Sequence, residues 1–208
     1  RVGVVNAFTT DTSDMFVEDA YKWSGAEVKK VFNEHVPAAE RKALLKRYGK
    51  AFKVKAITGG GTYTYKLSEV QIMRLSLKFR DSIKINYELY QFIKKNKKSG
   101  FGFEISLDEA PEITKPEEQL FYLNEWKALG AHVDFIAPNI GFKKRMDLSG
   151  PKTEFEKRTH ELASIAHHFD ECLLSIHSGS GTSPWSGKGA GTYKALVKAT
   201  GGQVKYKI

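Results

Sequence analysis

Residues 103–137, FEISLDEAPEITKPEEQLFYLNEWKALGAHVDFIA, decide the fold. Phe103, Ile105 and Leu107 alternate with Glu104, Ser106 and Asp108, the period of two that marks a strand. Pro111 interrupts that run, and from Pro116 onward Leu120, Leu123, Trp126 and Leu129 recur at helical spacing until Gly130 closes the segment. Residues 133–137 then read as a second strand. Two strands joined by one helical crossover lie parallel, with a right-handed connection.

The same unit repeats outward in both directions. Past Pro138, Gly141, Gly150 and Pro151, a helix carries Phe155, Leu162, Ile165, Ala166 and Phe169 on one face. A strand at 172–176 follows, then a loop rich in Gly, Ser and Thr over 178–191, a short helix ending near Ala199 and a last strand at 203–208. On the other side, Ser68 caps a helical run faced by Ile72, Leu75, Phe79, Ile83, Tyr87, Tyr90 and Ile93, and residues 52–57 read as a strand entering Gly59-Gly60-Gly61. Residues 1–50 stand apart as a mostly helical segment, with a short strand at 1–8, a polar turn at 9–14 and helices at 28–33 and 38–48; residues 51–208 form the repeat units. The expected class is α/β with a parallel sheet, either doubly wound or part of a (β/α) barrel of TIM type. A complete barrel takes about 250 residues, so five strands and the short one at 1–8 imply an incomplete barrel in this chain.

Composition narrows the function. The 208 residues hold 33 Lys+Arg against 24 Asp+Glu, a net charge of +9, and 12% aromatics, which fits one globular core and excludes a disordered chain. The lysines are scattered and no zinc-finger or RNA-recognition pattern is present, so nucleic acid is the lesser reading of the charge and capture of a small anion the better one. No apolar run is long enough for a membrane span, and no membrane partner is expected. The lone Cys172 cannot form an internal disulfide and points to a reducing compartment, the cytoplasm. A chain that starts at Arg1 and stops in a strand reads as a piece of a longer protein.

In either architecture the ligand sits beyond the carboxyl ends of the strands. There the first strand presents Glu104, Ser106 and Asp108 on one face, with Glu109 opening the loop. Carboxylates so placed are either salt-bridged to lysines of an adjacent strand or used in chemistry. His177 ends the strand at 172–176, and the small residues Ser178, Gly179, Ser180 and Gly181 after it leave backbone N–H groups accessible. Alone, such a histidine is a structural residue. With Asp108 and Glu109 it makes a donor set suited to a divalent cation or to proton transfer. His132, His160, His167 and His168 read as structural, and the three glycines as a plain turn.

The segments FEISLDE (103–109), Ala137-Pro138-Asn139, FEKRTHELASIAHHF (155–169) and LSIHSGS (174–180) resemble, in order and spacing, the tagaturonate epimerase family. The resemblance spans residues 52–208 and implies a cytoplasmic, metal-dependent enzyme of barrel-like fold that interconverts tagaturonate and fructuronate. It makes Glu109 the acid/base group, Asp108 its neighbour and His177 a ligand to a divalent cation of open identity. Glu104, Asn139, Ser178, Gly179, Ser180, Lys205 and Lys207 become the contacts to a small sugar acid. Two departures stand out. The family pattern has an acidic residue where this chain runs Gly181-Thr182-Ser183-Pro184-Trp185, and a further histidine where this chain has Lys205. The expected chemistry is a metal-assisted inversion at C4 by acid/base or retro-aldol steps. Alternatives are another metal-dependent sugar isomerase or aldolase, or a carbohydrate- or nucleic-acid-binding domain without catalysis.

Overall fold

The computed structural model describes residues 5–143, 145–177, 179, 181–183, 185 and 187–207. Its strands are β1 (Ala7–Asp11), β2 (Phe52–Lys55), β3 (Thr62–Tyr65), β4 (Gly102–Leu107), β5 (Phe135–Pro138), β6 (Leu173–Ile176) and β7 (Val204–Tyr206). The helices are α1 (Gly25–His35), α2 (Ala38–Tyr48), α3 (Glu69–Asn96), α4 (Pro116–Ala128), α5 (Lys152–His168) and α6 (Thr192–Thr200). Among the described residues no helix is long and apolar enough to cross a membrane.

Local chemistry sets the boundaries. Ser24 with Glu27 and Ser68 with Gln71 form reciprocal capping boxes that satisfy the first amides of α1 and α3. Pro116 begins α4, where a missing N–H costs nothing, and Glu118 reaches back to the backbone amide of Lys115. Helix α3 is one uninterrupted element of 28 residues.

Five strands form a sheet in the order β1-β4-β5-β6-β7, every neighbouring pair parallel. This is the α/β architecture the repeats imply, but the sheet is open: β1 and β7 are its two edges. Two readings of the sequence need correction. The polar turn assigned to 9–14 begins as strand, because β1 runs to Asp11 and pairs with β4 from Ala7 opposite Gly102 to Asp11 opposite Ser106. Residues 52–57 do not join the parallel sheet; β2 instead turns back through Gly59 and Gly60, at φ of 78° and 74°, and pairs antiparallel with β3. A helical crossover is what makes strands parallel, and here a glycine turn takes its place. The hairpin clips onto α5: the Tyr63 hydroxyl meets His160 Nδ1 at 2.7 Å, the Tyr65 hydroxyl donates to Glu161 at 2.7 Å and the Ile57 amide donates to the Ser164 hydroxyl at 3.0 Å.

The two faces of the main sheet differ in chemistry. Phe103, Ile105, Leu107, Ile136, Leu174 and Ile176 share one face and are buried against the helices. Phe103 stacks on Trp126 of α4 with centroids 5.5 Å apart, and Tyr90 of α3 meets both rings edge-on. The other face carries Thr9, Glu104, Ser106, Phe135, Ala137, Ser175 and Lys205.

A second buried feature ties the turn after β1 to the helical layer. Lys78 of α3 is 3% exposed and lies 2.9 Å from Glu18 and 3.0 Å from Glu118, with the rings of Phe16, Tyr21 and Phe79 at 5.7, 5.3 and 5.2 Å. Removing one member of such a cluster strands charge in a poorly solvated place. Lys78→Met is therefore expected to lower the unfolding free energy by about 3–5 kcal/mol, read as a fall in the urea midpoint with the slope retained; a loss under about 1 kcal/mol would show the cluster to be solvated.

Candidate active site at the carboxyl ends of the strands

Glu104 is the centre of the polar face. It is 2% exposed, yet four strands supply its surroundings. Its Oε1 accepts the Thr9 hydroxyl of β1 at 3.0 Å and lies 3.0 Å from His177 Nε2, one residue past β6. Its Oε2 accepts Lys205 Nζ of β7 at 2.7 Å, and the same ammonium lies 4.6 Å from the centroid of Phe135 on β5. The other ring nitrogen, His177 Nδ1, is 3.0 Å from Asp108 Oδ1, which also accepts the Ser106 hydroxyl. Asp108 and His177 line a narrow cleft with Pro138, Asn139, Ile140 and Phe142.

These contacts set the charges. Burial pushes the Glu104 carboxyl upward, but hydrogen bonds from His177 and Lys205 outweigh it and hold the group well below the usual carboxylate range. Asp108 is likewise lowered, its burial opposed by hydrogen bonds from His177 and Ser106. His177 is raised to about 9 by its hydrogen bonds to Asp108 and Glu104, against the effect of burial. At neutral pH it is an imidazolium bridging two carboxylates.

A model of the tagaturonate epimerase family matches residues 3–203. The chain belongs to that family. The match reaches further toward the N-terminus than the motifs at 52–208 and takes in β1, which pairs with β4. A tagaturonate/fructuronate epimerase of Thermotoga maritima is 30% identical over 136 residues, covering 64% of this chain and 27% of the relative. Among solved structures, the native fructuronate-tagaturonate epimerase of Cohnella laeviribosi superposes with a TM-score of 0.82 at 24% identity, and a complex of it with two glycerols with 0.84 at 25%. Both superpositions cover 98% of this chain and 39% of the longer one, so this epimerase-family chain spans about two fifths of its solved neighbours.

Within the family member described here, the sequence-derived site residues fare differently. Glu104, Asp108, His177 and Lys205 form one connected network. Glu109 follows in the turn after β4, exposed, and among the described residues it makes no hydrogen bond or ion pair. Asn139 lies at the cleft, but its side chain is occupied in the loops: Nδ2 donates to the Ala110 carbonyl at 2.8 Å and Oδ1 accepts the Gly141 amide at 2.9 Å. It therefore shapes the cleft rather than offering a free amide. Gly179 accepts the Tyr193 hydroxyl through its carbonyl. Lys207 is exposed at the end of β7, on the face of Lys205 by alternation. Ser178 and Ser180 lie outside the described residues.

Two residues of this face escape a reading by motif. Thr9 donates directly to Glu104, and Asp11, which shares its face by alternation, stands exposed at the carboxyl end of β1 opposite Ser106. The adjacent β-branched pair Thr9-Thr10 was the available strand signal.

A divalent cation of the kind held by carboxylate and imidazole takes ligands about 2.1 Å away, which sets neighbouring donors about 3 Å apart. His177 Nδ1 and Asp108 Oδ1 meet that spacing. Glu104 does not converge with them, since its oxygens face Nε2 and Lys205, and among the described residues no three such side chains gather around one point. The described residues thus supply a pair of donors.

The network gives stability a defined pH profile in the metal-free protein. His177 has its pKa raised from 6.5 to about 9, so its contribution is complete below pH 6.5, declines as the pH rises and is gone past 9. Glu104 and Asp108, both lowered, contribute above the ordinary carboxylate range and lose that contribution on acidification. Urea midpoints should therefore be highest near pH 5–6.5 and fall by at most about 3 kcal/mol equivalent toward pH 9, whereas His177→Asn should give a lower midpoint without the alkaline decline. An alkaline decline of equal size in the variant would assign it to another group.

Proposed function

We propose that this chain forms part of an epimerase that interconverts tagaturonate and fructuronate by inversion at C4. One observation carries the reading: a strand-end imidazole is gripped from both sides by carboxylates of a different strand, at the rim where parallel α/β sheets place their chemistry, in a member of the tagaturonate epimerase family.

The same contacts support a finer reading of the architecture. A strictly sequential strand order has no reversal point, as a doubly wound sheet would. Moreover, Glu104 and Lys205 sit three strand spacings apart, about 14 Å on a flat sheet, and their side chains meet only if the sheet curls toward the polar face. Both features support a barrel arc of TIM type with the polar face inside. The lone buried Cys172 and the sugar-acid chemistry support a cytoplasmic setting.

The reaction places specific demands on this rim. The C4 hydrogen of a 2-keto sugar acid is not alpha to the ketone, so simple enolisation inverts C3 instead. Breaking and re-forming the C3–C4 bond solves this. Glu109, solvated and one residue from Asp108, takes the C4 hydroxyl proton. As C4 becomes an aldehyde, the C3–C4 electron pair moves toward the C2 oxygen; the aldehyde turns, C3 attacks its other face and Glu109 returns the proton. His177 and Asp108 would hold a divalent cation, which supplies polarisation of the C2 carbonyl when bound. With the cation on that pair, His177 would carry its ring proton on Nε2 toward Glu104 and leave Nδ1 as the donor. Lys207, exposed one residue past β7 and on the face of Lys205 by alternation, is the lysine that would receive the uronate carboxylate.

The test is tagaturonate turnover by the full-length protein with product analysis. Glu109→Gln is expected to lose about 100-fold or more in kcat, and exhaustive chelation is expected to abolish turnover until a divalent cation is restored. Retained turnover in the variant would exclude Glu109 as the base, and turnover of neutral keto sugars without tagaturonate would replace the substrate class.

A further inference from the structure

Lys205 presents a choice the proposed function leaves open, because a lysine on the inner face of an edge strand can either receive the substrate's carboxylate or serve the protein's own. Its surroundings decide. Nζ is 2.7 Å from Glu104 Oε2 and 4.6 Å from the Phe135 ring centroid, and the side chain is 34% exposed. The carboxylate it holds is itself 2% exposed and has no second cation on that oxygen among the described residues. Drawing the ammonium away toward a substrate would leave Glu104 Oε2 buried without its cation, the most costly state for such a charge. The other Glu104 oxygen is the partner of His177 Nε2.

We infer that Lys205 is a positioning residue: its ammonium pins Glu104, Glu104 pins the His177 ring through Nε2, and the ring thereby presents Nδ1 to Asp108 and the cleft. The links run β7 to β4 to β6 and back to the end of β4, so each is made between strands and none is a neighbour in sequence. Ring orientation follows directly. An imidazole anchored at Nε2 can still rotate about its bonds only by giving up a buried charged hydrogen bond, so the Nδ1 edge stays aimed at the rim. Phe135 fills the space beneath the ammonium and offers its π face, which a shorter or neutral side chain would forgo.

The inference rests on the proposed epimerase reading for its kinetic arm alone. In full-length protein with tagaturonate, Lys205→Met is expected to lower kcat by about 10- to 100-fold while KM stays within about threefold, and Lys205→Arg to recover most of the loss, since a guanidinium keeps the charge and stacks on Phe135. Lys207→Met is expected to do the reverse, raising KM. A Lys205→Met enzyme with raised KM and unchanged kcat would make Lys205 a substrate contact and overturn the assignment. The second arm needs no turnover. Nitrogen-15 spectra of the histidine rings in metal-free full-length protein should show the His177 Nε2–H signal held by Glu104 in the native chain and in Lys205→Arg, and shifted or lost in Lys205→Met. An unchanged His177 signal in Lys205→Met overturns the inference even where the native protein proves inactive on tagaturonate; inactivity with the expected signal change refutes the substrate and leaves the positioning role standing.

Discussion

A single buried carboxylate, Glu104, organises this molecule's working face. A charge this far from solvent is tolerable only when its surroundings return what water gave, and here a hydroxyl, an imidazolium and an ammonium do so from three other strands. The demand is reciprocal. Strands that supply those partners must curl toward one another, so the interaction that neutralises Glu104 also selects the curvature of the sheet. The apolar face, with Phe103, Ile105, Leu107 and the rings of Tyr90 and Trp126, provides the bulk of the burial that holds the strands in place. The polar face then determines what that framework can do.

Charge balance on this face explains why a basic chain has an acidic heart. The lysines are scattered along the chain, whereas Glu104 and Asp108 meet on one imidazole, with Glu109 exposed in the turn after β4 and Asp11 exposed at the carboxyl end of β1. Asn139 serves this arrangement indirectly, because its amide joins the loop after β4 to the loop after β5 and so fixes the wall of the cleft.

Much of this was legible in the sequence wherever burial leaves a periodic trace. The unit β4–α4–β5 could be read because its strands and helix each bury one face, and the capped start of α3 because Ser68 and Gln71 carry their own geometry. β1 left little trace: of its five residues only Phe8 is strongly apolar, and its inner side consists of Ala7, Thr9 and Asp11. The hairpin was half read, since Phe52 and Val54 mark β2 but the TYTY of β3 looks like a polar loop once three glycines precede it. The site divides similarly. Alternation placed Glu104, Ser106 and Asp108 together, and position at a strand end singled out His177. The meeting of His177 with Glu104, and of Glu104 with Lys205, depends on register and sheet curvature across two and three strand spacings, which no local pattern encodes.

The clip of β2 and β3 onto α5 has a practical bearing of its own. Its anchors reach from Tyr65 to Thr58, whose hydroxyl lies 3.1 Å from His160 Nε2 just before the Gly59–Gly60 tip; a side chain at either glycine would meet nothing within 4 Å, but the left-handed backbone there, at φ of 78° and 74°, suits glycine alone. Any graft at the tip, whether a fluorophore, an affinity peptide or a tether to a solid support, must therefore keep both glycines in place, or it strains the turn that holds the hairpin against α5.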